Sequence, residues 1–292
     1  MSIAVILNRK AGSGNARDRE TLERIFAAAP TPVEIMAATG SEIRELARKA
    51  VARGCDVVVA GGGDGTINAV ASALAGSDAA LGVLPLGTLN HFSKDLGIPR
   101  ELDAAARIVL DANVSSVDVG EVNGRIFVNN SSIGVYARLV RFREAEQRRG
   151  LWKGVAFVLA LMAMFRRFSH LNIRLLVDGR ELRRTTPFLF VGNNEYQANG
   201  GRLCLTKGSL FLVIACKGGR MGLIFAAVRE FFNRLRENRD FEILHPTEFR
   251  IESHRKFLTV ALDGEVHKIE TPLCYRNHPA ALKVLTPRQL AK

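Results

Sequence analysis

The chain has 292 residues, of which 47% are hydrophobic and 24% charged; this suffices for one large or two ordinary cores and excludes a long disordered or fibrous protein. Its 41 Lys and Arg against 29 Asp and Glu leave a net charge of +12, a bias toward anionic partners such as lipid headgroups, phosphates or nucleic acid. Cys55, Cys204, Cys216 and Cys274 are scattered without a Cys-x-x-Cys pair, which argues against a zinc site or a disulfide framework and for reduced thiols.

The N-terminus opens into an apolar run, Ala4-Val5-Ile6-Leu7, that stops at Asn8. It lacks the charged leader and long apolar core of a secretory signal, so a cytoplasmic address is expected. The segment Arg9-Lys10-Ala11-Gly12-Ser13-Gly14 follows, and a second strand-like run, Val33-Glu34-Ile35-Met36, leads to Thr39. Ser41 to Val51 is predicted as a helix, because apolar residues at 43, 46, 47, 50 and 51 share one face. Ser41 is its expected N-cap and Gly54 its expected stop. Strands alternate with helical patterns from residue 3 to roughly 113, as in a βα-wound parallel sheet.

The most informative segment comes next. The buried run Asp56-Val57-Val58-Val59-Ala60 ends in Gly61-Gly62-Gly63-Asp64-Gly65-Thr66 and then enters the helix-like Ile67-Asn68-Ala69-Val70-Ala71. Glycines admit positive φ and clear every Cβ from an approaching ligand, while amides at a helix start carry partial positive charge suited to an anion. No Gly-Lys-Ser/Thr follows, so this is not a Walker A loop. The plainer alternative is a tight strand-to-helix turn with no ligand, but four glycines in five positions exceed what such a turn needs. One βα unit later, the strand Leu81-Gly82-Val83-Leu84 ends in Pro85-Leu86-Gly87-Thr88-Leu89-Asn90-His91-Phe92, where Thr88 and Asn90 offer polar side chains to the same crevice.

From about residue 117 strand-like segments prevail, at 125–129, 171–177, 187–192, 210–215, 247–251 and 256–262. Asn123-Gly124 and Asp178-Gly179 read as hairpin turns, and the second half is expected to be a β-rich sandwich meeting the first domain along a cleft. Two helical segments interrupt it. Leu151 to Phe165 is apolar and flanked by arginines, but about fifteen residues fall short of the ~20 needed to span a bilayer. It suits an interfacial position on anionic lipid, or a buried helix with a solvated basic rim. Met221 to Leu235 shares the ambiguity, with packing on the domain preferred. No groove-reading or base-stacking motif accompanies the basic residues, so nucleic acid is not an expected partner.

Taken together, Gly61-Gly62-Gly63-Asp64-Gly65-Thr66 and Pro85-Leu86-Gly87-Thr88-Leu89-Asn90 resemble the diacylglycerol kinase catalytic-domain family, which includes sphingosine kinases and bacterial lipid kinases. Asn8 with its following loop, Thr39, Val117-Asp118-Val119-Gly120, Phe127-Val128-Asn129-Asn130, Ser132-Ile133-Gly134 and Asp263-Gly264-Glu265 match further family landmarks in order. The resemblance implies a Rossmann-like nucleotide domain over residues 1–116, rejoined by a last strand within 280–292, and a β-rich lipid-substrate domain over 117–279. It implies ATP as donor, Mg2+, a lipid hydroxyl as acceptor, and a peripheral position at the inner face of an anionic membrane. A homodimer is compatible with it. Asn8, Thr39, Gly62, Gly63, Asp64, Gly65, Thr66, Thr88 and Asn90 would bind the nucleotide, and Asp263 or Glu265 would be the base. On an extended strand end Asp263 and Glu265 would point the same way. Asp64 would meet magnesium through water, or hold Arg9 or Lys10 in a buried pair.

The chain departs from the family pattern at three places. Arg9 stands where proline is usual, and Asn90-His91 stands where Asn-Asp is usual. Members with a structural magnesium carry aspartates between the positions of Asn193 and Ser209, where Gly200-Gly201-Arg202-Leu203-Cys204-Leu205-Thr206-Lys207-Gly208 has no acidic residue. That metal site is not expected here. Two other readings stay open, a kinase of the NAD kinase type acting on a soluble substrate and a nucleotide-binding regulator without turnover.

Overall fold

The computed structural model describes residues 1–10, 16–27, 31–134, 170–195, 204–215 and 241–288. The apolar segments 151–165 and 221–235, Cys216, and the loop glycines at 12 and 14 lie outside them. The chain divides into two compact units: Met1–Val119 with Arg125–Val128 and His278–Lys292, and Gly120–Gly124 with Asn129–Asn277.

The first unit alternates strand and helix: β1 (Ile3–Asn8), α1 (Ala16–Ala27), β2 (Val33–Ala38), α2 (Ser41–Ala52), β3 (Val57–Gly62), α3 (Asp64–Leu74), β4 (Ala80–Pro85), α4 (His91–Asp95) and α5 (Leu102–Asp111). Every residue of β3 and β4 is buried, and so are the first five of β1, which is why these strands read as unbroken apolar runs without alternation. They pair in parallel in the order β2-β1-β3-β4. Helix α2 buries Ile43, Ala47 and Ala50, one stripe at helical spacing. Its N-cap is Gly40, at φ 54°, and not Ser41. No side chain caps the helix; the Glu42 carboxylate, in the first turn, accepts from the Thr39 N–H at 2.9 Å and the Thr39 hydroxyl at 3.2 Å and so fixes the residue ahead of the cap. Gly54 ends the helix as expected, at φ 76° with its N–H on Val51 O.

The chain then passes through β5 (Val114–Val122), β6 (Arg125–Phe127), β7 (Asn130–Gly134), β8 (Leu171–Val177), β9 (Arg180–Thr186), β10 (Phe188–Asn193), β11 (Leu210–Ala215), β12 (Phe241–Leu244), β13 (Glu248–Ser253), β14 (Phe257–Leu262), β15 (Glu265–Glu270) and β16 (Leu273–Leu285). Strand β16 begins in the second unit and ends in the first, where Val284 pairs in parallel with Leu81 of β4. There the buried Asp118 accepts the Ala280 N–H at 2.9 Å, and Lys283 meets Asp78 at 2.7 Å.

The second unit is an antiparallel sandwich. One sheet runs β16-β13-β8-β9 and the other β12-β11-β10-β7-β14-β15. Strand β8 shows the expected alternation, with Leu171, Ile173, Leu175 and Val177 buried and Asn172 and Arg174 exposed. Asn123-Gly124 and Asp178-Gly179 are hairpin turns with positive φ at both residues of each pair. Strand β9 escaped prediction because Arg180-Glu181-Leu182-Arg183-Arg184-Thr185-Thr186 lies at a sheet edge and buries only Thr186.

At the centre of the sandwich, the Tyr275 ring stacks on Phe249 with centroids 4.7 Å apart, and its hydroxyl shares a 2.8 Å hydrogen bond with Ser131. Burial pushes the Tyr275 phenol well above its ordinary pKa, which keeps it protonated and hydrogen-bonded throughout the physiological range. Replacing Tyr275 with Phe keeps the stack and removes the hydroxyl from a buried pair, so unfolding free energy should fall by about 1–3 kcal/mol. Urea denaturation followed by circular dichroism checks this; an unchanged midpoint would mean that the hydrogen bond carries no net stability.

Candidate functional site

The strand order places a topological switch between β1 and β3: the chain leaves β1 for β2 on one side and resumes with β3 on the other. In open α/β sheets the crevice at such a point, beyond the C-terminal strand ends, is where ligands bind. The register brings the strand ends level, with Asn8 beside Ala38, Leu7 beside Gly61, and Gly62 beside Pro85. The loops carrying Asn8, Thr39, Gly62 to Thr66 and Gly87 to Asn90 therefore leave the sheet at one edge.

Two glycine loops form the floor of this crevice. A Cβ on Gly87 would lie 2.4 Å from Gly63 Cα and 2.6 Å from Asn90 Oδ1, and one on Gly62 would lie 2.4 Å from the Thr66 hydroxyl. Asn90 locks the second loop. It is fully buried in the left-handed region at φ 51°, its Oδ1 accepts the Gly87 N–H at 3.1 Å, and its Nδ2 donates to Pro85 O and Gly87 O. Its carboxamide is thus turned into its own loop, where it shapes the backbone.

The other nucleotide candidates surround that floor. Helix α3 starts at Asp64, behind the N-cap Gly63, with no side-chain cap; its first intrahelical bond is Ile67 N–H to Gly63 O. The preceding amides have no intrahelical acceptor, by the geometry of any helix start. Thr66 is buried and its hydroxyl accepts from Asn8 Nδ2 at 2.8 Å, while Asn8 Oδ1 accepts the Lys10 N–H. Asp64 is placed differently from expectation: Oδ1 accepts the His91 N–H at 2.8 Å, tying the two loops together, and among the described residues it forms no ion pair with Arg9 or Lys10. A backbone N–H fixed by α4 is a nearer donor than either flexible cation. Thr39 is engaged by Glu42, whose carboxyl its N–H and then its hydroxyl hold below the usual range. Thr88 is exposed, and its carbonyl accepts from Arg100 at 2.6 Å.

The second unit holds the Asp-Gly-Glu segment. Asp263 (φ 46°) and Gly264 (φ 87°) form the turn joining β14 to β15, and Leu262 pairs with Glu265. The segment is a hairpin and not an extended end, which overturns the expectation that Asp263 and Glu265 point the same way: positive φ reverses the chain between them. Asp263 Oδ1 accepts the N–H groups of both Asn129 and Asn130, at 2.8 and 2.9 Å, and its own N–H donates to Asn130 O. Glu265 is 54% exposed, with His267 Nε2 3.8 Å away. The Asn129-Asn130 amides were invisible as partners in sequence, since they lie 134 and 133 positions from Asp263.

Two family profiles match the chain. Residues 2–122 match the profile of the diacylglycerol kinase catalytic domain, and residues 130–286 that of the YegS C-terminal NAD kinase beta sandwich-like domain. The chain belongs to the diacylglycerol kinase catalytic-domain family. It is 34% identical over 165 residues to a Pseudomonas aeruginosa PAO1 protein named probable lipid kinase YegS-like, covering 56% of this chain and 54% of that one. A protein of the same name from Enterobacter sp. 638 is 31% identical over 185 residues, 60% of this chain and 61% of its own. The matched stretch therefore spans little more than half the length of these relatives. A crystal structure of a diacylglycerol kinase from Bacillus anthracis str. Sterne superposes with a TM-score of 0.75 at 20% identity, covering 99% of this chain and 98% of that one. A second structure from the same organism reaches a TM-score of 0.80 at 21% identity over the same shares. At such identities the likeness establishes the fold: an N-terminal α/β domain with a parallel sheet and a C-terminal antiparallel sandwich.

Because Gly87 meets Gly63 backbone to backbone, Gly87→Ala must push the loops apart. Binding of a fluorescent ATP analogue should weaken at least about tenfold, the equivalent of 1.4 kcal/mol, while the far-ultraviolet circular dichroism spectrum stays unchanged. Undiminished binding would remove these loops from the nucleotide site.

Proposed function

We propose that this kinase transfers the γ-phosphoryl group of ATP to a hydroxyl of a lipid of diacylglycerol-like or sphingoid-like form, working peripherally at an anionic membrane surface. The observation that carries this reading is the pair of apposed glycine loops beside the uncapped start of α3. The first-turn amides from Gly62 to Thr66 would grip the phosphates, where helix-dipole and hydrogen-bond donation act together. Asn8 holds the Thr66 hydroxyl at this edge. Thr39 and Thr88 lie on the neighbouring strand-end loops. The relatives' name, probable lipid kinase, supports a lipid acceptor, and the +12 charge supports an anionic surface as the place of work.

Among the described residues no group of three or more His, Cys, Asp or Glu is placed to hold a metal ion. The two glycine loops carry one carboxylate, Asp64, which fits a magnesium ion held mainly by phosphate oxygens and waters. Magnesium bound there would neutralise charge on the phosphates. The loose transition state of phosphoryl transfer asks little covalent chemistry of the protein; it asks for grip, charge compensation and a base for the acceptor proton. Asp263 suits the base better than Glu265 does. Two fixed N–H donors orient its carboxylate, whereas Glu265 is largely solvated beside His267 and suits a contact to the acceptor or a cation.

The test is transfer of radioactive γ-phosphate from magnesium ATP to a total lipid extract in mixed micelles, with NAD as a parallel acceptor, since the second-half profile is described as NAD kinase-like. One labelled lipid is expected. Asp263→Asn should lower the rate by about 10²–10⁴-fold and Glu265→Gln by less, with thermal melts confirming that both fold. Label on NAD alone would favour the soluble-substrate reading. Nucleotide binding without label on either acceptor would favour a regulator.

A further inference from the structure

We infer that the tip made by His254, Arg255, Lys256, Phe257 and Lys268 is where the second unit meets an anionic lipid surface, its cations on lipid phosphates and the Phe257 ring at the boundary between headgroups and acyl chains. The inference deepens the proposed function and rests on its reading that the protein works at a membrane. Three residues, His254 to Lys256, join β13 to β14, and they and Phe257 are all exposed. The tip stands at the far end of the β14–β15 hairpin from the Asp-Gly-Glu turn: Phe257 pairs with Glu270, and Leu262 with Glu265.

Strand alternation turns Leu258 and Val260 of β14 into the core and leaves Phe257 on the opposite face. At 40% exposure it is the only exposed Phe, Tyr or Trp among the described residues. A single exposed apolar side chain is ordinary on a soluble protein. What sets this one apart is the company of cations. Lys256 Nζ lies 5.6 Å and Lys268 Nζ 4.8 Å from the ring centroid, so two ammonium groups from separate segments sit over the ring. Arg255 adds a third positive charge. The one carboxylate at the tip, Glu270, is 3.8 Å from Lys256 Nζ with both side chains open to solvent, a pairing of small net worth that a lipid phosphate displaces easily. Glu252, ahead of the tip, is engaged by Arg174 and Arg250. Arg255 and Lys268 form no ion pair among the described residues.

The tip is also held in place. The Thr271 hydroxyl donates to Arg255 O at 2.7 Å, the Thr271 N–H donates to Lys256 O at 2.9 Å, and the Arg255 N–H donates to the Ser253 hydroxyl at 3.3 Å. The backbone that presents these side chains is thus formed before contact, and little ordering cost remains on binding. Near an anionic leaflet each Lys or Arg is worth about fivefold in affinity, so three together reach about a hundredfold. A soluble polyanion would gain the same from charge alone. Only a lipid interface also takes the ring: as the ammonium groups move to phosphates they uncover Phe257 where an apolar layer lies beneath it, the combination of aromatic and basic groups that favours interfacial binding.

The test uses the full chain without nucleotide, sedimented with vesicles of phosphatidylcholine alone or mixed with phosphatidylglycerol. The wild type should bind the mixed vesicles and not the neutral ones. Lys268→Met should weaken that binding about fivefold and Phe257→Ser at least as much. Arg180→Met, which removes an exposed cation at the start of β9, should change it less than about twofold. On a heparin column Lys268→Met should elute earlier and Phe257→Ser should not move, since heparin offers charge without an apolar layer. Thermal melts confirm that the variants fold. Equal losses from Arg180→Met and Lys268→Met would overturn the inference in favour of general charge attraction. Phe257→Ser with wild-type vesicle binding would overturn it too: toward a soluble polyanion if Lys268→Met still weakens heparin retention, toward another membrane-facing surface if it does not. In each of these cases the membrane reading stands. A wild type that ignores the mixed vesicles would overturn both the inference and the membrane-surface reading, leaving phosphoryl transfer to a lipid in micelles untouched.

Discussion

The first unit depends on one contact: two backbones, at Gly63 and Gly87, meeting with no side chain between them. Level strand ends make the meeting unavoidable, because Gly62 and Pro85 are register partners and whatever follows them emerges side by side. Every other feature of the crevice serves that approach. Asn90 adopts a left-handed conformation that costs about 1 kcal/mol or more, and recovers it in three hydrogen bonds to its own loop. Asp64 spans from the first loop to the His91 amide on the second. The result is a helix start held open, with donors that no protein group in the helix can satisfy.

The second unit solves a different problem with the same currency of backbone amides. A hairpin turn with positive φ at Asp263 suits an aspartate, whose short polar side chain tolerates that region. The turn then aims the carboxylate at two consecutive amides at the start of β7. A turn that could have been mere connection thus becomes a fixed carboxylate, because β7 and β14 are neighbours in the sheet and Asp263 closes the end of that pairing. The buried hydroxyls of Ser131 and Tyr275 keep β7 in register with its surroundings.

Much of this was legible in the chain. Continuous apolar runs identified β1, β3 and β4 because central parallel strands bury both faces, and the Asn-Gly and Asp-Gly pairs identified hairpins because few residues accept positive φ. Strand β9 was not legible, since an edge strand needs no apolar face. The cap of α2 was assigned one residue too late, because Gly40 takes that place at a positive φ and local pattern does not tell where the backbone turns.

By itself the sequence determined the family, the two fold classes in their order, and the two glycine loops, since each rests on local rules: strand burial, turn chemistry and the spacing of residues along the chain. Only the tertiary structure decided what the polar groups do. Whether Asn90 faces a ligand or its own loop, whether Asp64 meets a lysine or an amide, and whether Asp263 and Glu265 act side by side depend on distances between segments far apart in sequence. Hydrogen bonds are directional and act within about 3 Å, so such pairings exist only once the strands are in register.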